Sequence, residues 1–276
     1  MITAPAISFD KIDYHANENG FLSSPHTHAH YELFFFEKGA ATHYIDFTAY
    51  QIIDNSCFLV SYNQIHYIEA SPFSYNLGYV LSFNQAYFDL LEKEFRNLFG
   101  AFSKNPAYQL LPDLTLTLVN AFNHINIELK NKRLKSPGLV LNFVNIILTY
   151  VYRSDLHDKL GGSSSLRHKL ADDFLNLVEL QFKEHHTVQE YADLLFASAK
   201  QLNRICKKEF GLSALQLIHQ RINLEAKRFL FHTNHPIKEI AYEVGFQDHA
   251  HFSNFFRKLN QESPENFRKT MSQIYK

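Results

Sequence analysis

Cysteine is scarce in this chain. Its 276 residues include two cysteines, Cys57 and Cys206, one in each half. A disulfide framework is thereby excluded, and a reducing, cytoplasmic setting is expected. Acidic residues come early and no apolar core of a secretion signal follows, so no leader is expected. Long hydrophobic runs are missing too. The most apolar one, residues 139–151, is too short to span a bilayer and carries Asn142 and Asn145. No membrane partner is expected. A large net charge is also absent, with 27 Lys and Arg against 28 Asp and Glu, formally −1. Low-complexity sequence is confined to a Gly-Gly-Ser-Ser-Ser run at 161–165.

The near-neutral total conceals an asymmetry. Residues 1–160 hold 11 basic and 15 acidic side chains, and residues 161–276 hold 16 and 13. Only the C-terminal part has the sign that suits phosphate. Its helical patterning is written twice. In the second copy Ile237, Ile240, Ala241 and Val244 recur at helical spacing, Gly245 interrupts, and Phe252, Phe255, Phe256 and Leu259 resume it. Asp248 is placed to cap the second helix. In the first copy Val188, Tyr191, Ala192 and Leu195 precede a cap at Ser198, and Leu202, Ile205 and Cys206 face inward. Two short amphipathic helices about a tight turn predict a helix-turn-helix in each copy. A helix over 214–231, capped by Ser213, separates them, with Leu215, Ile218, Ile222, Ala226, Phe229 and Leu230 on its apolar side. About 18 residues span roughly 27 Å. The two second helices would then lie near one turn of DNA apart, about 34 Å.

Outward positions offer Lys200, Gln201, Asn203, Arg204, Lys207 and Lys208 in the first copy. The second offers His249, His251, Ser253, Asn254, Arg257 and Lys258. Amides and guanidinium groups read base edges, and lysines neutralise phosphate. On these residues, and above all on "IKEIAYEVGFQDHAHFSNFFRKLNQESPENFRK" at 237–269, the chain resembles the AraC/XylS transcription regulators. The first copy, "YADLLFASAKQLNRICKKEFGLS", follows that family's weaker pattern. The resemblance implies recognition helices beginning near Ala199 and His249. It puts Lys200, Asn203 and Arg204 of the first, and His249, Ala250, Ser253 and Asn254 of the second, against the bases; Gln201, Lys207 and Arg257 join the expected DNA contacts through their outward positions. Phe196 and Gln261 stand where the family often has glycine. A phenylalanine resists positive φ, so the first turn is expected to be built differently.

Residues 1–100 read as strands, at 31–36, 43–47 and 56–61 among others, divided by turn residues into an antiparallel barrel or sandwich. Gly20, His26, His28, Glu32 and Gly39 follow the spacing of a first cupin motif. His66 lies in a partial second one, with Asn55, Ser61, Asn63 and Ala70 at its usual glycine, proline and asparagine positions. Strand alternation predicts His26, His28, His30 and Glu32 on one face. The set His26, His28, Glu32 and His66 admits three roles: metal ligands, polar lining of an effector pocket, or structural histidines. The effector pocket is the role adopted, and no cofactor or metal is assigned.

Residues 83–99, 112–130 and 137–154 are expected to be helical. Residues 155–165 are expected to form a flexible linker, and 166–183 the first helix of the C-terminal part. The resulting architecture is α+β. Residues 1–160 form a cupin-like β-barrel that binds an effector, with a helical dimerisation segment. Residues 161–276 form an all-α domain with two helix-turn-helix motifs. The resemblance implies a transcription regulator, more often an activator, with double-stranded DNA, a small-molecule effector, a second copy of the chain and RNA polymerase as partners. It is expected not to be an enzyme. Two other classes remain open: a metal-dependent cupin enzyme with an accessory DNA-binding part, and a constitutive regulator whose barrel only dimerises.

Overall fold

The computed structural model of the protein describes residues 4–15, 24–70, 74–100, 106–131, 136–160 and 169–274. The chain divides into two compact units, Met1–Ser164 and Ser165–Lys276. The first is built on strands β1 (Ile7–His15), β2 (Tyr31–Lys38), β3 (Ala41–Ile45), β4 (Thr48–Ile52), β5 (Ser56–Val60), β6 (His66–Ala70), β7 (Tyr75–Phe83) and β8 (Ala107–Gln109). They form two antiparallel sheets, β1-β7-β2-β5-β8 and β4-β3-β6.

The first six residues of β2 are all buried because both faces of its sheet are covered. Phe34 and Phe36 point between the two sheets, where they meet Ile45, Ile52, Phe58 and Ile68. Leu33 and Phe35 point the other way, onto helices α3 (Thr115–Lys130) and α4 (Pro137–Leu160). Leu118, Phe122 and Ile125 of α3 and Val144, Ile147, Leu148 and Val151 of α4 complete that second core.

Three helical expectations need correction here. Residues 83–99 form two single-turn helices, α1 (Gln85–Phe88) and α2 (Lys93–Arg96), and a 3₁₀ turn at Asn97–Phe99. Leu90 is exposed rather than part of a continuous stripe, because the chain breaks at Asp89–Leu90 to wrap the sheet. Pro112–Leu114 is a 3₁₀ turn ahead of α3. Residues 155–160, expected in the linker, continue α4; the Gly-Gly-Ser-Ser-Ser run and Gly20 lie outside the described residues.

The second unit contains α5 (Lys169–Gln181), α6 (Val188–Leu194), α7 (Ala199–Phe210), α8 (Ala214–His232), α9 (Ile237–Glu243), α10 (His249–Asn260) and α11 (Pro264–Ile274). Its core comprises Phe174, Tyr191, Leu202, Ile218, Ile222, Ile240, Phe252 and Phe256 among others. Leu215 and Leu259, expected inside, are each 41% exposed at the edges of their stripes. The helix between the copies is unbroken, and its 19 residues span roughly 28 Å. Arg221 and Arg228 on it are buried among carboxylates.

Candidate functional site

The two copies in the second unit are built by the same local chemistry. α6 ends with Phe196 N–H donating to the Asp193 carbonyl at 3.2 Å and Ala197 N–H to the Ala192 carbonyl at 2.9 Å. α9 ends with Gly245 N–H to Tyr242 at 3.0 Å and Phe246 N–H to Ala241 at 2.8 Å. Both are the paired bonds of a left-handed helix end. Gly245 takes φ +91°, and Phe196 takes φ +51° in the equivalent place. The expectation that phenylalanine would force a different turn is therefore overturned. The ring stands fully exposed, so no side-chain clash adds to the backbone cost. Gln261 likewise accepts φ +62° at the end of α10, where Gly211 ends α7. The turns differ in length, the second having one more residue before its helix.

Each second helix is capped. Ser198 Oγ accepts from Gln201 N–H at 3.1 Å, and the Asp248 carboxylate accepts from Ala250 and His251 N–H at 3.2 and 3.0 Å. Those hydrogen bonds hold the Asp248 carboxyl below its ordinary pKa. α7 buries Leu202, Ile205 and Cys206 and exposes Lys200, Gln201, Arg204, Lys207 and Lys208. α10 buries Phe252 and Phe256 and exposes His249, Ala250, His251, Asn254, Arg257 and Lys258, with Ser253 half-buried. Asn254 and Arg257 are paired on the helix surface, Nη2 donating to Oδ1 at 2.6 Å.

Asn203 is placed differently from the rest. It is half-buried and its Oδ1 accepts from the Ala214 N–H at 3.0 Å, joining α7 to the first turn of α8. Through that bond Asn203 caps α8, whose orphan amide is satisfied by no residue of its own helix. Replacing Asn203 with alanine is expected to lower stability by about 1 kcal/mol, as for a lost cap. Urea unfolding measures this, and base preference should be unchanged. The reciprocal pair Asn223–Asn260, at 3.1 and 2.7 Å, does a similar job between α8 and α10 and was missed in the sequence.

The barrel brings the histidines together, but not by alternation along one strand. β2 begins at Tyr31, so His26, His28 and His30 precede it. A bridge between His26 and His66 and a bond from Asn63 N–H to the His28 carbonyl fold that segment against β6. Glu32 enters from β2, His66 from β6 and His43 from β3. His28 Nε2 lies 2.8 Å from His66 Nε2 and 3.1 Å from Glu32 Oε2. His66 Nε2 lies 3.5 Å from the same oxygen. Glu32 Oε1 faces His30 Nε2 and the Ser82 hydroxyl, both at 3.2 Å. His43 Nε2 meets His66 Nδ1 at 3.1 Å.

Burial works against the Glu32 carboxylate, yet the hydrogen bond and charge of His28, with the hydrogen bond from His30, hold it down at about 2. Burial pushes His66 down to about 2 and His43 to about 3, so both imidazoles are neutral. The His66–Glu32 approach is thus an imidazole beside a carboxylate, not an ion pair. His43 and Ser82 were not among the expected site residues. Strand alternation with Ile45 could have flagged His43; Ser82 becomes visible only through its register opposite Glu32.

A barrel-type unit followed by two helix-turn-helix motifs on one long helix defines a class of two-part DNA-binding regulators. Comparison with known proteins gives the family. Residues 7–116 match a profile described as an AraC-like ligand binding domain, and residues 191–270 one described as a helix-turn-helix domain. Together these take in well over half of the chain, which belongs to the AraC family. It is 29% identical over 122 residues to the HTH-type transcriptional activator RhaS of an Enterobacter species, covering 44% of this chain and 42% of that protein. It is 32% identical over 91 residues to RhaS of Salmonella schwarzengrund, covering 33% of each. The chain thus spans less than half the length of these curated relatives. The C-terminal domain of AraT, a response regulator from Geobacillus stearothermophilus, is 29% identical over 38% of this chain and 88% of that one, with a TM-score of 0.37. No helix among the described residues is long and apolar enough to cross a membrane.

Proposed function

We propose that this protein is a cytoplasmic, sequence-specific DNA-binding transcription regulator, an activator, controlled by an effector held in its N-terminal barrel. The observation that carries the reading is the duplicated, identically terminated helix-turn-helix on either side of one unbroken helix. α7 and α10 are the reading helices. Arg204 is the base reader of α7, supported by Gln201, while Lys200 and Lys207 neutralise phosphate. His249, Ala250, Ser253, Asn254 and Arg257 line the reading face of α10. The Arg257–Asn254 bond orients both groups while leaving the Asn254 amide donors open.

His26, His28, Glu32 and His66 hold the effector. They form the polar group at one end of an interior otherwise filled by Phe34, Phe36 and Phe58. The barrel acts as a sensor, not a catalyst. α3 and α4 join two copies of the chain; Leu116, Ile127, Leu139 and Ile146 are 41–70% exposed on them, an apolar surface that a second copy covers. RNA polymerase is the further partner that an activator requires.

The test begins by selecting the preferred duplex from random DNA with the purified full chain. Arg204→Ala is then expected to weaken binding to that duplex by about 1–3 kcal/mol and to relax base preference at the positions it reads. Lys207→Ala should weaken all sequences alike and lower the salt slope by about 1. Unchanged affinity and preference in Arg204→Ala at fixed salt would remove α7 as a reading helix.

A further inference from the structure

The two reading helices carry different chemistry at the same place. Phe252 and Phe256 are buried on α10 as Leu202 and Cys206 are on α7, so the helices align residue for residue from His249 and Ala199. In that register Asn254 stands where α7 has Arg204, and Arg257 stands where it has Lys207. Arginine and lysine side chains only donate hydrogen bonds, so Arg204 and Lys207 cannot bond to each other. Asn254 and Arg257 can. They lie three residues apart on one helix face, both exposed, and Arg257 Nη2 donates to Asn254 Oδ1 at 2.6 Å.

That bond fixes which end of the amide is free. A guanidinium has no acceptor, so the atom that it meets must be the oxygen. An unattached asparagine reads adenine, its oxygen accepting from N6 while its nitrogen donates to N7. Here the oxygen is committed to a cation, and a base amino group approaching it would meet the guanidinium's own N–H groups. What the pair has left to offer is donors alone, from Asn254 Nδ2 and from the guanidinium N–H groups outside the bond. In the major groove guanine presents two adjacent acceptors, N7 and O6. Thymine presents one acceptor beside a methyl group, and adenine and cytosine each present an amino donor. Donor facing donor leaves both groups desolvated and unpaired, which is costly. Guanine is therefore the base that the pair matches.

We propose that Asn254 and Arg257 act as one composite, donor-only reader of a guanine in the operator, with Arg257 as the residue that turns Asn254 away from adenine. This rests on the reading of α10 as a DNA-reading helix and names the base that it selects. The two heads then reach guanine by different means: α7 through the untethered guanidinium of Arg204, and α10 through an amide whose orientation a neighbouring arginine sets.

The experiment uses the full chain, duplexes selected from random DNA and affinities compared at one salt concentration. Asn254→Ala locates the contact, as the base pair whose preference it flattens by about 10–100-fold. The wild type is expected to prefer guanine there. Asn254→Asp keeps an acceptor for Arg257 but has no N–H, and should lose that preference as alanine does. Arg257→Ala should weaken binding to the wild-type duplex and move the preference at that one pair from guanine to adenine, because the freed Oδ1 restores the two-bond asparagine contact. A residue that only neutralised phosphate would weaken every sequence alike and move no preference. Far-UV circular dichroism establishes that each variant is folded. Any base other than guanine preferred by the wild type at that pair, or any base other than adenine preferred by Arg257→Ala, overturns the proposal. If Asn254→Ala flattens no pair while Arg204→Ala relaxes its own, the composite reader falls and the DNA-reading function stands. If neither variant changes base preference, both fall.

Discussion

Arg221→Ala is expected to destabilise the C-terminal unit by about 3–5 kcal/mol, the range for removing one partner from a buried charge network. Arg221 is 5% exposed at mid-α8. Its Nε and Nη2 both donate to Glu179 Oε1 of α5 at 3.0 Å, and Nη1 donates to Glu225 Oε2 at 2.9 Å. Its guanidinium also lies 3.9 Å from the centre of the Phe182 ring. Alanine would leave Glu225 with Arg228, at 3.3 Å, as its remaining arginine. Lysine should rescue little, because a point charge cannot reproduce three directed donors and a planar stack. Urea unfolding of the full chain gives the measurement, and a loss below about 1 kcal/mol would mean that the network contributes nothing net.

The same network sets an acid limit. Burial alone would raise the Glu225 pKa, but the charges of Arg221 and Arg228 outweigh it and the value is lowered. A carboxylate lowered on folding stabilises the fold at pH above its unfolded value, and that contribution is lost as pH falls through the folded one. The C-terminal unit should therefore weaken on acidification below the ordinary carboxylate range, and less so in Glu225→Gln, which has already lost this contribution.

Gly245→Ala should cost about 3 kcal/mol or more, the sum of a left-handed φ at a residue with Cβ and of overpacking. At φ +91° a Cβ would penetrate the Lys183 carbonyl and lie 2.6 Å from His186 Nε2. The obstacle is backbone at the end of α5, which cannot rotate away. Thermal unfolding should show the loss, and weaker binding to the selected duplex should accompany it as α10 shifts. The contrast with Phe196 is instructive. That residue occupies the same turn position, yet its Cβ faces solvent and only the backbone cost applies. A Tm within a degree of wild type would show that the turn can move clear of α5.

What could be read along the chain was what is decided within a few residues. The caps at Ser198, Ser213 and Asp248, the stop at Gly245 and the apolar stripe of α8 each act over three to five positions. Those local rules were enough to place both helix-turn-helix motifs and the long helix between them. The spacing of His26, His28 and Glu32 was legible too, but the reason for their convergence was not. Alternation along a strand was the wrong cause, since only Glu32 lies on β2. A bridge to His66, forty residues away, does the folding.

Tertiary structure alone decided the rest. It made Asn203 the link to α8, brought His43 and Ser82 behind the cluster, and buried Arg221 and Arg228 on a helix whose sequence reads as ordinary. For Asn203, His43, Ser82 and Arg221 a deciding partner lies eleven or more residues distant on a different element. Such contacts depend on sheet register and helix packing, which residue spacing does not encode.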